Sequence, residues 1–238
     1  MIYPKKSKLF ELCFSIVTKF LLRKHFHKIH ISGEENVVEL SNRFPLLFYL
    51  NHTCWWDPLV VFYLSTMRWK LNGYAIMDII QLAKYKYFRR IGVFSIDRNN
   101  ARKAMKSIFY ASEKLHDSKN ALWIFPQGEM FPSNYRPIEF SNGISSIIKA
   151  TPHLFAVPVT IQYEFINEQR PEIFISISSP IEFQNEKRNK NEITAILQNI
   201  LTDDLERKKG MIAGRDFSEF REVMSGNKSI NTKYFESK

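Results

Sequence analysis

His52 and Asp57 stand near the two ends of the stretch Asn51-His52-Thr53-Cys54-Trp55-Trp56-Asp57-Pro58. An imidazole and a carboxylate this close suit general-base chemistry. Histidine titrates near neutral pH and can take a proton from a hydroxyl. A carboxylate on its other ring nitrogen fixes the tautomer and stabilises the imidazolium that forms. The same aspartate also suits a structural job, capping a helix whose first position is Pro58. Cys54 lies between the pair, and a thiol nucleophile would need its side chain to meet His52. The favoured orientation on this turn points Cys54 into the core, where a cysteine is inert. Trp55 and Trp56 fit three places: core wedges, walls of an apolar channel, or headgroup depth at a bilayer.

Two more polar clusters follow, Ile96-Asp97-Arg98-Asn99-Asn100 and Phe125-Pro126-Gln127-Gly128-Glu129-Met130. Each comes directly after an apolar run, so all three clusters are expected at the ends of buried strands. RFPLLFYL delivers Asn51 and His52, VFSI precedes Asp97, and NALWIF precedes Pro126. Helical spacing is read in DPLVVFYLSTM, in DIIQLAKYKYFRRIG ending at Gly92, in NARKAMKSIFYASEKLH and in SNGISSIIKAT. LFAVPVTIQYEF and EIFISISSPIEF add strands. This alternation predicts an α/β domain with a largely parallel central sheet flanked by helices. Sites in such sheets gather beyond the carboxyl ends of the strands, so the three clusters are expected to share one cleft.

Composition narrows the partners. Lys and Arg total 34 against 24 acidic residues, a formal charge of +10, which suits nucleic acid, an anionic membrane or an anionic substrate. Nucleic acid is disfavoured, because apolar runs flank the polar clusters where interleaved basic and aromatic residues would be wanted. The two cysteines, Cys13 and Cys54, are far apart, which argues against a disulfide framework or zinc site and suits a reducing compartment. With no ligand cluster in view, no metal is expected.

The chain divides into residues 1–28, 29–210 and 211–238. Within the first, LFELCFSIVTKFLL (9–22) is short for a spanning helix and carries Glu11 and Lys19. A signal peptide fits less well, since Glu11 interrupts the apolar stretch and no small-residue cleavage site follows. As a helix it puts Leu9, Leu12, Cys13, Ile16 and Phe20 on one face, widened by Phe10, Phe14, Val17 and Leu21. Lys5, Lys6, Lys8, Arg23 and Lys24 flank it. That pattern predicts an amphipathic helix lying in a membrane interface, with a core-packed helix as the alternative. The middle segment is one domain closed by a charged helix carrying Ile193, Leu197, Leu201 and Leu205 at helical spacing. Residues 211–238 show no strong period and read as a tail, loosest over the final dozen or so residues.

Four blocks in this order, LLFYLNHTCWWDPLVV, IGVFSIDRNN, LWIFPQGEM and AVPVTI, resemble those of the glycerolipid acyltransferases, the lysophosphatidate acyltransferase superfamily. The likeness runs from about His30 to Pro180. It implies that His52, assisted by Asp57, is the general base moving a fatty acyl group from an acyl thioester to a hydroxyl. The donor would be acyl-CoA or acyl carrier protein, the acceptor a lyso-lipid or related lipid, with no cofactor besides that donor. It implies substrate contacts from Asn51, Gly92, Asp97, Arg98, Pro126, Gln127 and Gly128, with Arg98 on an anionic headgroup. It also implies a peripheral or monotopic protein on the cytoplasmic face of a membrane, its oligomeric state left open.

The third block departs from the family's usual Phe-Pro-Glu-Gly-Thr-Arg. Gln127 replaces the acid, Glu129 the threonine, and the arginine is missing, although Arg136 follows and could restore a cation. Losing a cation and gaining a carboxylate disfavours a free phosphate monoester as acceptor. Glu129 suits an amine or sugar hydroxyl better. The competing reading is a non-catalytic, membrane-associated lipid-binding protein of the same fold, against which the intact His52 and Asp57 argue.

Overall fold

The computed structural model describes residues 1–41 and 43–227. Its first helix, Lys8–His25 (α1), starts where the Ser7 hydroxyl accepts the Phe10 N–H. It ends on the basic residues Arg23, Lys24 and His25, with the Arg23 and Lys24 cations suited to the negative end of the helix dipole. Strand Lys28–Ser32 (β1) and the single turn Glu35–Val38 (α2) follow. Strand Leu46–Leu50 (β2) runs into the turn holding His52 and then into helix Asp57–Phe62 (α3), which continues as a π-helical turn over Tyr63–Arg68. Next come Asn72–Asp78 (β3), Ile79–Lys84 (α4) and a 3-10 turn, Lys86–Ile91, stopped by Gly92 at φ 101°. A side chain there would collide with the Gly73 carbonyl, so the position demands glycine. The remaining elements are Val93–Ile96 (β4), Ala101–Lys114 (α5), Asn120–Ile124 (β5), Gly143–Ala150 (α6), His153–Glu164 (β6), Glu172–Ile177 (β7), Ile181–Gln184 (β8), Lys190–Ala213 (α7) and Arg221–Ser225 (β9).

These strands form one mixed sheet in the order β4-β3-β5-β2-β6-β7-β1-β9, with β8 pairing the lower part of β6. From β4 to β6 every pairing is parallel. Beyond β6 the direction reverses: β7 runs antiparallel to β6, β1 parallel to β7, and β9 antiparallel to β1. The expected α/β domain with a largely parallel sheet is therefore the observed one.

All five residues of β2 are buried, because helices cover both faces of the sheet. Leu46, Phe48 and Leu50 face one core with Leu22 and Phe26 from α1 and its cap and Val60 from α3. Leu47 and Tyr49 face the other, with Ile108 from α5, Ile144 and Ile148 from α6, and Leu197 and Leu201 from α7. Burying each such Leu or Phe is worth about 1.5–3 kcal/mol. That two-sided burial fixes the end of β2, and with it the backbone that carries His52.

The helix expected over residues 78–92 is broken at Tyr85 into α4 and the 3-10 turn, and elements at the C-terminal end differ from the sequence reading as well. The closing helix runs on to Ala213, held by buried polar contacts as well as leucines. Asp204 accepts from the Thr160 and Ser176 hydroxyls at 2.9 and 3.2 Å, and Lys208 reaches Ser32 at 2.8 Å and Glu219 at 2.5 Å. Residues 221–225, read as tail, form the edge strand β9. Both ends of that strand are exposed, so it carries no burial pattern to announce it. The final residues of the proposed tail, from 228 onward, lie outside the described residues.

Candidate active site

The carboxyl ends of β2, β3, β4 and β5 lie at one end of the sheet, because these strands run parallel. β2 ends in Asn51, whose amide both donates to the Ile161 carbonyl and accepts the Ile161 N–H, each at 2.9 Å. Asn51, expected as a substrate contact, is a buried latch between β2 and β6. Side chains alternate along extended backbone, so latching Asn51 inward turns His52 toward the open end.

His52 Nδ1 sits 2.8 Å from Asp57 Oδ2, and Asp57 is fully buried. The same oxygen accepts the Thr53 and Cys54 amides at 2.7 and 3.0 Å. The Tyr163 hydroxyl donates to Oδ1 at 2.6 Å, with the Cys54 thiol at 3.6 Å. The two amides, the phenol and the thiol all donate to this carboxylate; in the neutral imidazole tautomer that donates from Nδ1 as well, the lone pair is at Nε2. Among the described residues Nε2 has no partner. Asp57 does not cap α3. Trp56 occupies that position, and the carboxylate instead reaches back to the amides preceding it. Burial and the neighbouring Asp57 push the Cys54 thiol above its ordinary value, so the cysteine is a donor to Asp57 and a poor nucleophile.

The third cluster grips His52 from outside. The Gln127 side-chain oxygen accepts the His52 N–H at 2.9 Å, and the Phe131 N–H donates to the His52 carbonyl at 2.9 Å. The imidazole stacks on Phe125, with centroids 4.1 Å apart and planes at 24°. Pro126 is buried, and its carbonyl accepts from Ser141. Gly128, at φ 78°, leaves space that the Arg98 guanidinium fills: a Cβ built there would lie 2.3 Å from Arg98 Nη1.

Arg98 therefore joins the His52 cluster, as the sequence led us to expect. Its nearest acid is Asp78, 3.7 Å away at the end of β3, a residue the sequence reading missed. The signal was available, since Asp78 is another polar residue closing an apolar strand. Asp97 pairs with Lys103 at 3.5 Å, and Glu129 is exposed. Two other expected contact residues have structural partners. Gly92 sits at the opposite end of β4 from Arg98 and serves the backbone turn. Arg136 pairs with Glu206 on α7 and donates to the Ser133 and Tyr135 carbonyls. Tyr163 was read only as part of a strand, and no local spacing marks it as a partner of Asp57, 106 positions away. Among the described residues no group of three or more His, Cys, Asp or Glu side chains is placed to hold a metal.

Comparison with known proteins bears on this arrangement. The Acyltransferase family model matches residues 28–162, more than half of the chain and the span from β1 through most of β6. The chain belongs to the acyltransferase family. Among solved structures, the acyltransferase is similar to the 1-acyl-sn-glycerophosphate (LPA) acyltransferase PlsC from Thermotoga maritima. The TM-score is 0.59 at 15% identity, covering 85% of this chain and 79% of that one. At that identity the likeness is one of fold. No protein of curated function matches the acyltransferase. Its family span ends at Gln162, next to Tyr163.

Proposed function

We propose that this acyltransferase moves a fatty acyl group from an acyl thioester, acyl-CoA or acyl carrier protein, to a hydroxyl of a lyso-lipid or related lipid acceptor. The observation that carries the reading is His52, with Nδ1 at 2.8 Å from buried Asp57 and Nε2 unpartnered at the end of β2. Nε2 takes the acceptor's hydroxyl proton as its oxygen attacks the thioester carbonyl. The tetrahedral adduct collapses, the C–S bond breaks, and the imidazolium returns its proton to the leaving thiolate. Asp57 keeps the imidazolium favourable throughout, and such a base contributes on the order of 10²–10⁴-fold. The reaction needs no metal or cofactor beyond the donor.

Arg98 is the cation nearest the Gln127–Gly128 turn, and Asp78 already stands beside it. A site with one partnered guanidinium, an exposed Glu129 and no arginine in the third block is poorly matched to a phosphate dianion. We assign it an acceptor whose headgroup carries an amine or sugar, or a glycosylated isoprenoid, in preference to lysophosphatidate.

We further assign α1 to the surface of the cytoplasmic leaflet. One side of the helix packs on the domain, with Phe14 against Phe62 and Phe88. The other exposes Leu12, Ile16 and Phe20 at 61%, 65% and 59%. No helix among the described residues is long and apolar enough to cross a membrane. Trp55, 55% exposed, stands beside Trp56, which contacts His25 at the end of α1.

The test incubates the purified chain with labelled acyl-CoA and a total lipid extract, then identifies the acylated product by mass. A His52→Ala variant that folds is expected to make none. Full product from that variant would overturn the reading.

A further inference from the structure

We infer that Tyr163 is a positioning residue for the His52–Asp57 pair, acting from the far end of β6 through its hydroxyl on Asp57 Oδ1. The inference rests on the reading of His52 as base. Asp57 Oδ2 has three donors: His52 Nδ1 and the Thr53 and Cys54 amides. Those contacts fix one oxygen only. A carboxylate held at one oxygen can still turn about its Cβ–Cγ bond, and that turn carries Oδ2 off the imidazole. Oδ1 is held by Tyr163 at 2.6 Å, and its other contact, at 3.6 Å, is the Cys54 thiol, a weak donor. The tyrosine therefore sets the plane of the carboxylate, and with it the direction from which His52 Nδ1 is gripped.

The ring of Tyr163 is itself immobilised. It packs on Phe26, 5.7 Å between centroids, and Phe26 meets Trp56 edge to face at 5.1 Å. Trp56 precedes Asp57, so Phe26 braces the tyrosine and the aspartate's own turn together. Burial and the adjacent Asp57 push the phenol well above its usual range, so it is a donor at neutral pH. A phenylalanine would keep the packing and lose only the hydroxyl. Outer-shell partners of a metal-ligating histidine fix its tautomer and ring orientation, and their loss costs about 10–100-fold in affinity or activity; Tyr163 acts by the same logic one bond further out, through the carboxylate that holds His52.

The test compares the full-length chain with its Tyr163→Phe variant in two ways. With palmitoyl-CoA and mixed lysophospholipids in detergent micelles, kcat is expected to fall about tenfold while both KM values stay close to wild type, and the variant folds with a lowered melting temperature because a buried carboxylate oxygen has lost its donor. Without substrate, ¹⁵N–¹H spectra of labelled histidines are expected to show His52 as the Nδ1–H tautomer in the wild type and a mixture in the variant. Wild-type kcat, or a His52 spectrum that does not change, overturns the inference. If His52→Ala retains transfer, the base reading fails; if His52→Ala is inactive and Tyr163→Phe is fully active, the role given to Tyr163 fails alone.

Discussion

Gln127 holds His52 by its backbone, its side-chain oxygen accepting the His52 N–H at 2.9 Å. With Phe131 taking the His52 carbonyl and Phe125 stacking on the ring, the third block is a clamp on the candidate base. This changes what the departure from the family's pattern means. An amide oxygen and a carboxylate oxygen accept the same N–H, so the exchange of acid for amide at 127 preserves the clamp. In charge, the acid lost at 127 is returned by Glu129, and the net change is the cation lost at 130, where a methionine stands.

Gln127→Glu is therefore expected to keep activity within about threefold of wild type, because the acceptor survives. Gln127→Leu removes it and leaves a partly buried N–H unpaired. That variant is expected to lose about 1–3 kcal/mol of stability and at least about tenfold in kcat, as the base drifts from its position. Urea denaturation and steady-state kinetics on the pair decide it. Equal losses in both variants would show that the amide contacts substrate and does not serve the clamp.

Cys54 is expected to be dispensable. Its thiol is pushed up by burial and by Asp57, so the thiolate is scarce at neutral pH. Cys54→Ser keeps a donor facing Asp57 and is expected to retain activity within about threefold. The sign of the pH dependence follows: alkylation of Cys54 by iodoacetamide stays slow at pH 8 and accelerates only above the ordinary thiol value of 9.0. Rapid alkylation at pH 7 that abolishes activity would instead indicate a reactive thiol.

The parts of the site legible in the sequence were those set by local order. His52 and Asp57 share one turn, and Arg98 and Gln127 close strands that parallel pairing must bring to the same end. What local order could not show was the direction of a side chain or a partner far along the chain. Asn51 follows the same strand as His52, yet its amide belongs to Ile161. Arg136 lies near the third block in sequence and folds onto Glu206. Gly92 is explained by its left-handed backbone, a demand that looks the same in sequence as a contact with substrate. β9 was missed because an edge strand with exposed ends has no alternation to read.

Arg98 packs over Gly128 and faces Asp78, which makes the two residues a test of headgroup charge. Arg98→Ala is expected to raise the acceptor KM about 10–100-fold and leave the donor KM unchanged, the loss of a charge-assisted contact. Asp78→Asn frees the guanidinium from its acid and is expected to shift preference toward lysophosphatidate over a zwitterionic lyso-lipid. Competition between the two acceptors, resolved by product mass, measures that shift. An unaltered ratio would mean that the headgroup binds elsewhere.

The outer face of α1 is open to the most direct test, because changing it should leave the fold alone. Leu12, Ile16 and Phe20 are more than half exposed and make no contribution to either core, while Thr18 and Leu22 on the opposite side are buried. Replacing the three with Glu is expected to leave the melting temperature within about 6 °C, since exposed substitutions seldom exceed about 0.5 kcal/mol each. Binding to vesicles with anionic lipid should fall by two orders of magnitude or more, given about 1.5–3 kcal/mol for each large apolar side chain withdrawn from the bilayer and repulsion of the new charges. Turnover of a short-chain acceptor dissolved as monomer should persist, because His52, Asp57 and Arg98 are untouched. A variant that unfolds would place these side chains in the core, and one that still floats with vesicles would place the lipid contact on another surface.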